Sequence, residues 1–332
     1  MSERWSTKYG ELEGVTSFST YSGGGLKSCM LGQSNRLETP VGAILPQYRT
    51  AVFGERQKKH RSSIDFFENG QIKSVALDEQ MPIATPFGTV GAELVTFYQD
   101  GSVNRIFPLN GKVDGFWSEA NERQMAEPFE FDTPVGSFRA KVISFHFYPN
   151  GSLKAVALWP GEKLRVETPL GGVECRAGFS LYEDGSVRSV EPWQPVDVPT
   201  PIGWIKVFDP DIIGMHADRG SIQFHPDGTL AAVKTIHSGV RVSGAVGGGQ
   251  VFEPREIPSY IDPSRMATLP MNLEFSHASV RIDAGEPCEV PLSGAEISTF
   301  EREKVLRDTC NDCPGDDSCC QVGGSCGGCG SE

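Results

Sequence analysis

Phe147-Tyr148-Pro149-Asn150-Gly151-Ser152-Leu153-Lys154 is the stretch from which the fold can be read. An Asn-Gly step between strand-forming residues is a strong short-range hairpin signal, because Gly takes the left-handed conformation the turn needs. Pro149 suits the second position of a type I turn, which puts Gly151 in the bulge position behind it. The pattern returns with its Gly at 24, 70, 101, 151, 185 and 228. Four residues before the Gly stand Phe66, Phe97, Phe147, Leu181 and Phe224; two after it stand Ile72, Val103, Leu153, Val187 and Leu230. In a bulged-turn register these two columns pair on one face. Five residues after the Gly come Cys29, Val75, Ile106, Val156, Val190 and Val233. This third column falls on the opposite face unless the strand bends.

A second motif alternates with the first. Thr39-Pro40-Val41-Gly42 recurs with its Thr at 85, 133, 168 and 200. Pro fixes φ and Gly ends the turn, so each copy is a second tight turn. Leu37, Ile83, Phe131, Val166 and Val198 stand two residues before each Thr, as short strands entering it. Helical periodicity is nearly absent through residue 240, and Gly and Pro recur too often for long helices. The reading is an all-β fold: an elongated array of about six antiparallel β-hairpin repeats over residues 1–240, each burying its core only against its neighbours.

The hairpin segments over residues 18 to 235, such as that around Asn150-Gly151, resemble MORN-like repeats. The resemblance covers the hairpin half of each unit; the Thr-Pro-x-Gly half and the longer period depart from that family's pattern. It implies scaffolding or binding rather than catalysis.

Insertions interrupt the period near residues 49–63, 116–130 and 208–219. In repeat arrays such insertions map to loops on one face, often the binding face. Arg56, Lys58, Lys59, His60 and Arg61 in the first are either a solvated loop or a docking patch for an acidic partner. His216 and Asp218, with Asp209 and Asp211, offer a weaker metal or catalytic reading in the third. Gly247-Gly248-Gly249 is a hinge or turn, not a phosphate loop, because no Lys-Ser/Thr follows. A C-terminal β region over 241–309 holds strands such as Ser279–Ile282 and Cys288–Leu292. Ser293-Gly294-Ala295-Glu296 fits a capping box and predicts one short C-terminal helix over Ala295–Asp308.

The chain of 332 residues carries a net charge of −13, which argues against nonspecific nucleic-acid binding. No run approaches the roughly 20 apolar residues of a membrane-spanning helix, and the first residues lack a secretory h-region. A cytoplasmic address is expected, with a protein partner and no membrane insertion.

Cysteine is distributed unevenly. Cys29, Cys175 and Cys288 lie in strand-like contexts and read as packing residues. The other six, Cys310, Cys313, Cys319, Cys320, Cys326 and Cys329, crowd into a tail over 310–332. Their spacing is two C-x-x-C pairs flanking an adjacent pair, and C-x-x-C lets two thiolates bind one metal through a tight turn. Zinc and iron–sulfur clusters both take four thiolates. A redox-active dithiol, disulfide stapling and a ligand-free linker are the competing readings. A segment so rich in glycine and poor in apolar residues folds only with a ligand or crosslinks. With no nucleophile elbow and no phosphate loop in the chain, the expectation is a non-catalytic β-repeat scaffold with a metal-binding tail. The alternative is a redox or metal-dependent enzyme whose site lies in the inserted loops, with the tail as electron or metal carrier.

Overall fold

In the computed structural model the described residues are 3–51, 54–59, 62–244, 249–259 and 262–303. Each Gly of the first motif has a positive φ, from +79° to +92°. At Gly151 the N–H donates to the Tyr148 carbonyl at 2.9 Å, and Tyr148 N–H donates to the Ser152 carbonyl at 2.8 Å. The six turns therefore close six hairpins: Gly10–Thr20 with Leu26–Leu31, Ile64–Phe66 with Ile72–Thr85, Gly88–Phe97 with Val103–Phe107, Gly136–Phe147 with Leu153–Leu158, Gly171–Leu181 with Val187–Pro192, and Ile222–Phe224 with Leu230–Thr235.

The strand does bend. Phe66 pairs with Ile72 but Asp65 pairs with Ser74, so Lys73 is an extra residue and the register shifts by one. Such a bulge returns the next residue to the original face. Val75 thus shares a face with Ile72, and both sit in the core. The same shift recurs at the other five turns. The third column then joins one unit to the next: Cys29 pairs with Ile64, Val75 with Val95, Ile106 with Phe145, Val156 with Phe179, and Val190 with Ile222. Val75, Ile106, Val156, Val190 and Val233 are completely buried, and Cys29, the thiol in this column, is 1% exposed. Burial raises the Cys29 and Cys175 thiols to about 12, so both pack as inert core groups.

The Thr-Pro-x-Gly turns make the second layer. Each joins two strand segments through a two-residue loop, and each Thr hydroxyl donates to the carbonyl of the Gly three residues on, at 2.6 to 3.1 Å. A sixth copy, Thr7-Lys8-Tyr9-Gly10, makes the same bond at 2.7 Å with Lys in place of Pro. Leu37, Ile83, Phe131, Val166 and Val198 pair with Ile44, Val90, Phe138, Val173 and Ile205, and these pairs close over the main sheet in one continuous core. Phe87, at the tip of its turn, lies 4.9 Å from the Phe145 ring and 5.9 Å from Phe147. The two kinds of turn meet at one edge. Pro134 sits so close over Gly185 that a Cβ there would lie 2.8 Å from the proline ring.

A ladder of hydroxyls ties the turns together. Tyr21, Tyr98, Tyr148 and Tyr182 each donate to a carbonyl of the following unit: those of Phe66, Phe147, Leu181 and Phe224, at 2.8 to 2.9 Å. His225 takes the aromatic position in the last unit. Its Nε2 lies 3.1 Å from the Phe275 carbonyl, which fixes the proton on that nitrogen.

The main sheet continues past residue 240. Val233 pairs with Leu273, and the strands Met271–Phe275, Ser279–Asp283 and Pro287–Pro291 extend it. The helix read into Ala295–Asp308 is corrected. Glu296–Glu301 is a strand, paired residue for residue with Ser238–Ser243, and residues 304–308 lie outside the described residues. Its β-branched Ile297 and Thr299 suit a sheet, and the Phe300 ring lies over Gly239 with the Arg241 guanidinium 3.9 Å from its centroid. A capping box does occur elsewhere: Ser118 and Asn121 start the helix Glu119–Met125 inside the second insertion.

Candidate functional site

The three insertions were the candidate binding surface, and each is held to the sheet by buried charge. Arg56, from the first insertion, is flanked by two carboxylates. Its guanidinium donates to Glu93 of the strand Gly88–Phe97 at 2.9 and 2.7 Å, and to both oxygens of Glu122 on the helix, one of them at 2.7 Å. Glu122 also accepts from Gly111 N–H and Trp117 Nε1, both at 2.7 Å, while Glu93 accepts from Asn110 N–H at 2.7 Å. The three side chains are 15%, 8% and 3% exposed in the order Arg56, Glu93, Glu122. Burial opposes the Arg56 charge, but the hydrogen bonds and charges of Glu122 and Glu93 outweigh it and hold its pKa above the ordinary value. Burial likewise opposes ionisation of Glu122, and Arg56 and Trp117 keep its carboxyl below the usual range.

Two members of the basic patch are turned inward by this arrangement. Arg56 points inward, and Lys58 donates its Nζ to the carbonyls of Leu77 and Asp78, the latter at 2.8 Å. Lys59 is exposed, and His60 and Arg61 lie outside the described residues.

The third insertion is clasped in a parallel way. Its one 3₁₀ turn, Gly214–Arg219, packs on the sheet face opposite the core, over the strands Leu153–Leu158 and Gly171–Leu181. Glu191, with no exposed surface, accepts from Asp209 N–H at 3.2 Å and from Ser221 N–H at 2.8 Å, so one carboxylate pins both ends of the insertion. Arg176 stands 4.0 Å from Glu191, donates to the Asp209 carbonyl at 2.7 Å and lies 4.7 Å from the Phe208 ring centroid. The residue after it, Ala177, is the one non-glycine residue with a positive φ among those described, at +61°. The bulge there carries Arg176 to this cluster. Burial pushes the Glu191 carboxyl up to about 7, against the pull of Ser221, Arg176 and Asp209.

A stability prediction follows from Glu191. Its folded pKa lies above the unfolded one, so between about pH 4.5 and 7 the native state holds the extra proton, and stability falls as pH rises. The penalty is complete above about 7 and amounts to a few kcal/mol, at about 1.4 kcal/mol per pH unit. Glu191→Gln should flatten this part of the curve. Urea titrations from pH 4.5 to 8 check it; equal slopes for both proteins would refute the assignment.

The residues singled out in the third insertion do not converge. Asp209 is buried and paired with Lys234 at 3.5 Å, its Oδ1 accepts from Asp211 N–H, and His216 is exposed. Asp218 reaches Arg105 at 3.7 Å. Beside Arg105 lies His146, buried, with Nε2 3.5 Å from the Tyr98 hydroxyl. Burial, with Arg105 and Lys154, lowers the His146 pKa to about 4 and keeps the ring neutral. Among the described residues no group of three or more His, Cys, Asp or Glu is placed to hold a metal, and no helix is long and apolar enough to cross a membrane.

Sequence reasoning missed Glu93, Glu122, Arg176 and Glu191. The available signal was a charge set inside an apolar strand run, as in Ala92-Glu93-Leu94 or Val190-Glu191-Pro192. The six predicted ligands, Cys310, Cys313, Cys319, Cys320, Cys326 and Cys329, lie outside the described residues. No known family, curated protein or solved structure matches the chain. The functional reading therefore rests on the chain's own chemistry.

Proposed function

We propose that the protein is a β-repeat scaffold carrying a metal-binding cysteine tail, with zinc or an iron–sulfur cluster as the ligand, for partner docking or metal handling. One observation carries the reading. The buried ionisable groups around the insertions, Arg56, Glu93, Glu122 and Glu191, already serve to fasten those insertions to the sheet. The dense set of soft ligands in the sequence is the tail, with six thiols in C-x-x-C and adjacent pairs. The MORN-like hairpins support a scaffold role for the body, and a protein partner is the expected client.

The experiment is metal analysis with visible absorbance on the full chain purified without oxygen. Stoichiometric zinc, or iron with a charge-transfer band, is the expected result. Cys310→Ser with Cys313→Ser should remove half or more of that metal while leaving the far-ultraviolet circular dichroism unchanged. Metal-free protein whose six tail thiols remain reduced would refute the proposal.

A further inference from the structure

Among the described residues, the first unit has an open side that the others lack. In the interior units the middle residue of the first strand is paired on both sides. Val95 lies between Val75 and Ile106, Phe145 between Ile106 and Val156, and Phe179 between Val156 and Val190. All three are completely buried. Phe18 holds this position in the first unit and pairs with Cys29 on one side. On the other side, the pairing with Glu3–Thr7 reaches, within the described residues, as far as Glu3 with Val15. Among the described residues none pairs with Thr16–Thr20 there. Thr16–Thr20 are all exposed, and Phe18 is 43% exposed, with the Trp5 ring 5.1 Å away.

We propose that this edge pairs with the same edge of a second copy of the chain. An unpaired strand with open N–H and C=O groups is a template for strand addition, and natural sheets block such edges where they are unwanted. The far end of this sheet is blocked in that way: its last strand, Pro287–Pro291, begins and ends with proline. The near end carries no proline and no charge over Gly14–Gly25. On a chain of net charge −13 this matters, because two copies meet here without like-charge repulsion. The segment is also self-complementary. A two-fold axis normal to the sheet sets Phe18 opposite Phe18 of the second copy, Ser17 opposite Ser19, and Thr16 opposite Thr20. These are the aromatic and hydroxyl cross-strand pairs that stabilise antiparallel sheets. The two sheets become one, with both cores on the same side, and each Phe18 gains the second neighbour its counterparts have.

Sedimentation velocity on the full chain tests this, from 1 to 200 µM, with a phosphine reductant present to prevent disulfides between tails. The mass should rise with concentration from 36.0 kDa toward twice that value. Phe18→Lys should weaken association at least about tenfold. Ser17→Lys, at an exposed position on the opposite face, should do the same without touching the core. Both variants should keep the wild-type circular dichroism and, in dilute protein where the wild type is monomeric, a melting temperature within a few degrees of it. A wild-type chain monomeric at 200 µM overturns the proposal, as does a dimer that survives Ser17→Lys.

Discussion

Replacing Arg56 by methionine should cost the protein about 3–5 kcal/mol of stability, the usual consequence of breaking a buried ion pair from one side. The guanidinium lies between Glu93 and Glu122, and both carboxylates are nearly inaccessible. Methionine fills much of the volume and supplies none of the donors. Two buried negative charges would then face each other, with Asn110 N–H, Gly111 N–H and Trp117 Nε1 as their remaining hydrogen-bond donors among the described residues. Urea unfolding followed by circular dichroism measures the loss. Adding Glu122→Gln to Arg56→Met should recover part of it, because one of the orphaned charges is gone. A loss below 1 kcal/mol would show that the charges reach solvent.

Phe145→Ala should have an effect of similar size for a different reason. Phe145 has no exposed surface and stands where the two layers meet. Its ring contacts Phe87 at 4.9 Å from a tight turn, and Phe131 at 5.4 Å and Phe129 at 6.0 Å from the strand Pro128–Thr133. Truncating a buried Phe to Ala typically costs about 3–5 kcal/mol, because neighbours collapse only partly into the cavity. Phe18→Ala, the same change at the exposed member of the column, should cost no more than about 1 kcal/mol in dilute protein. The contrast between the two, measured by thermal and urea unfolding, is the informative quantity.

The fold was legible to the extent that its determinants are local. Asn150-Gly151 and Thr85-Pro86-Phe87-Gly88 specify their turns through the φ preferences of Gly and Pro, so their copies could be counted along the chain. Thr7-Lys8-Tyr9-Gly10 escaped because Lys8 replaces the proline, although the hydroxyl-to-carbonyl bond is unchanged. The face of the Val75 column depended on the bulge at Lys73, which a periodicity of two does not register. Ser293-Gly294-Ala295-Glu296 misled because the capping pattern is local, whereas the partner of Glu296 is Ser243, far back in the chain. The charge clusters were hidden for the same reason. Arg56 and Glu122 are 66 positions apart, and nothing in either neighbourhood announces the other. The tail cysteines stand out by spacing alone, a feature of ligand chemistry more than of fold.

The tyrosine ladder bears on how such a chain can change length. Each hydroxyl is donated to a main-chain carbonyl of the following unit, and every residue type possesses that acceptor. The joint between units is thus indifferent to the side chains of its recipient. The bond itself can therefore re-form on any unit that follows a tyrosine, whereas the second unit, with Phe67 at that position, has no hydroxyl to give. Substitutions can accumulate on the exposed strand positions, while the turn residues, the buried columns and the charge clusters that clasp the insertions stay constrained. The joint also has a direction. Every donor belongs to the N-terminal unit and every acceptor to the C-terminal one, so removing a unit from either end leaves a single polar group that water can serve.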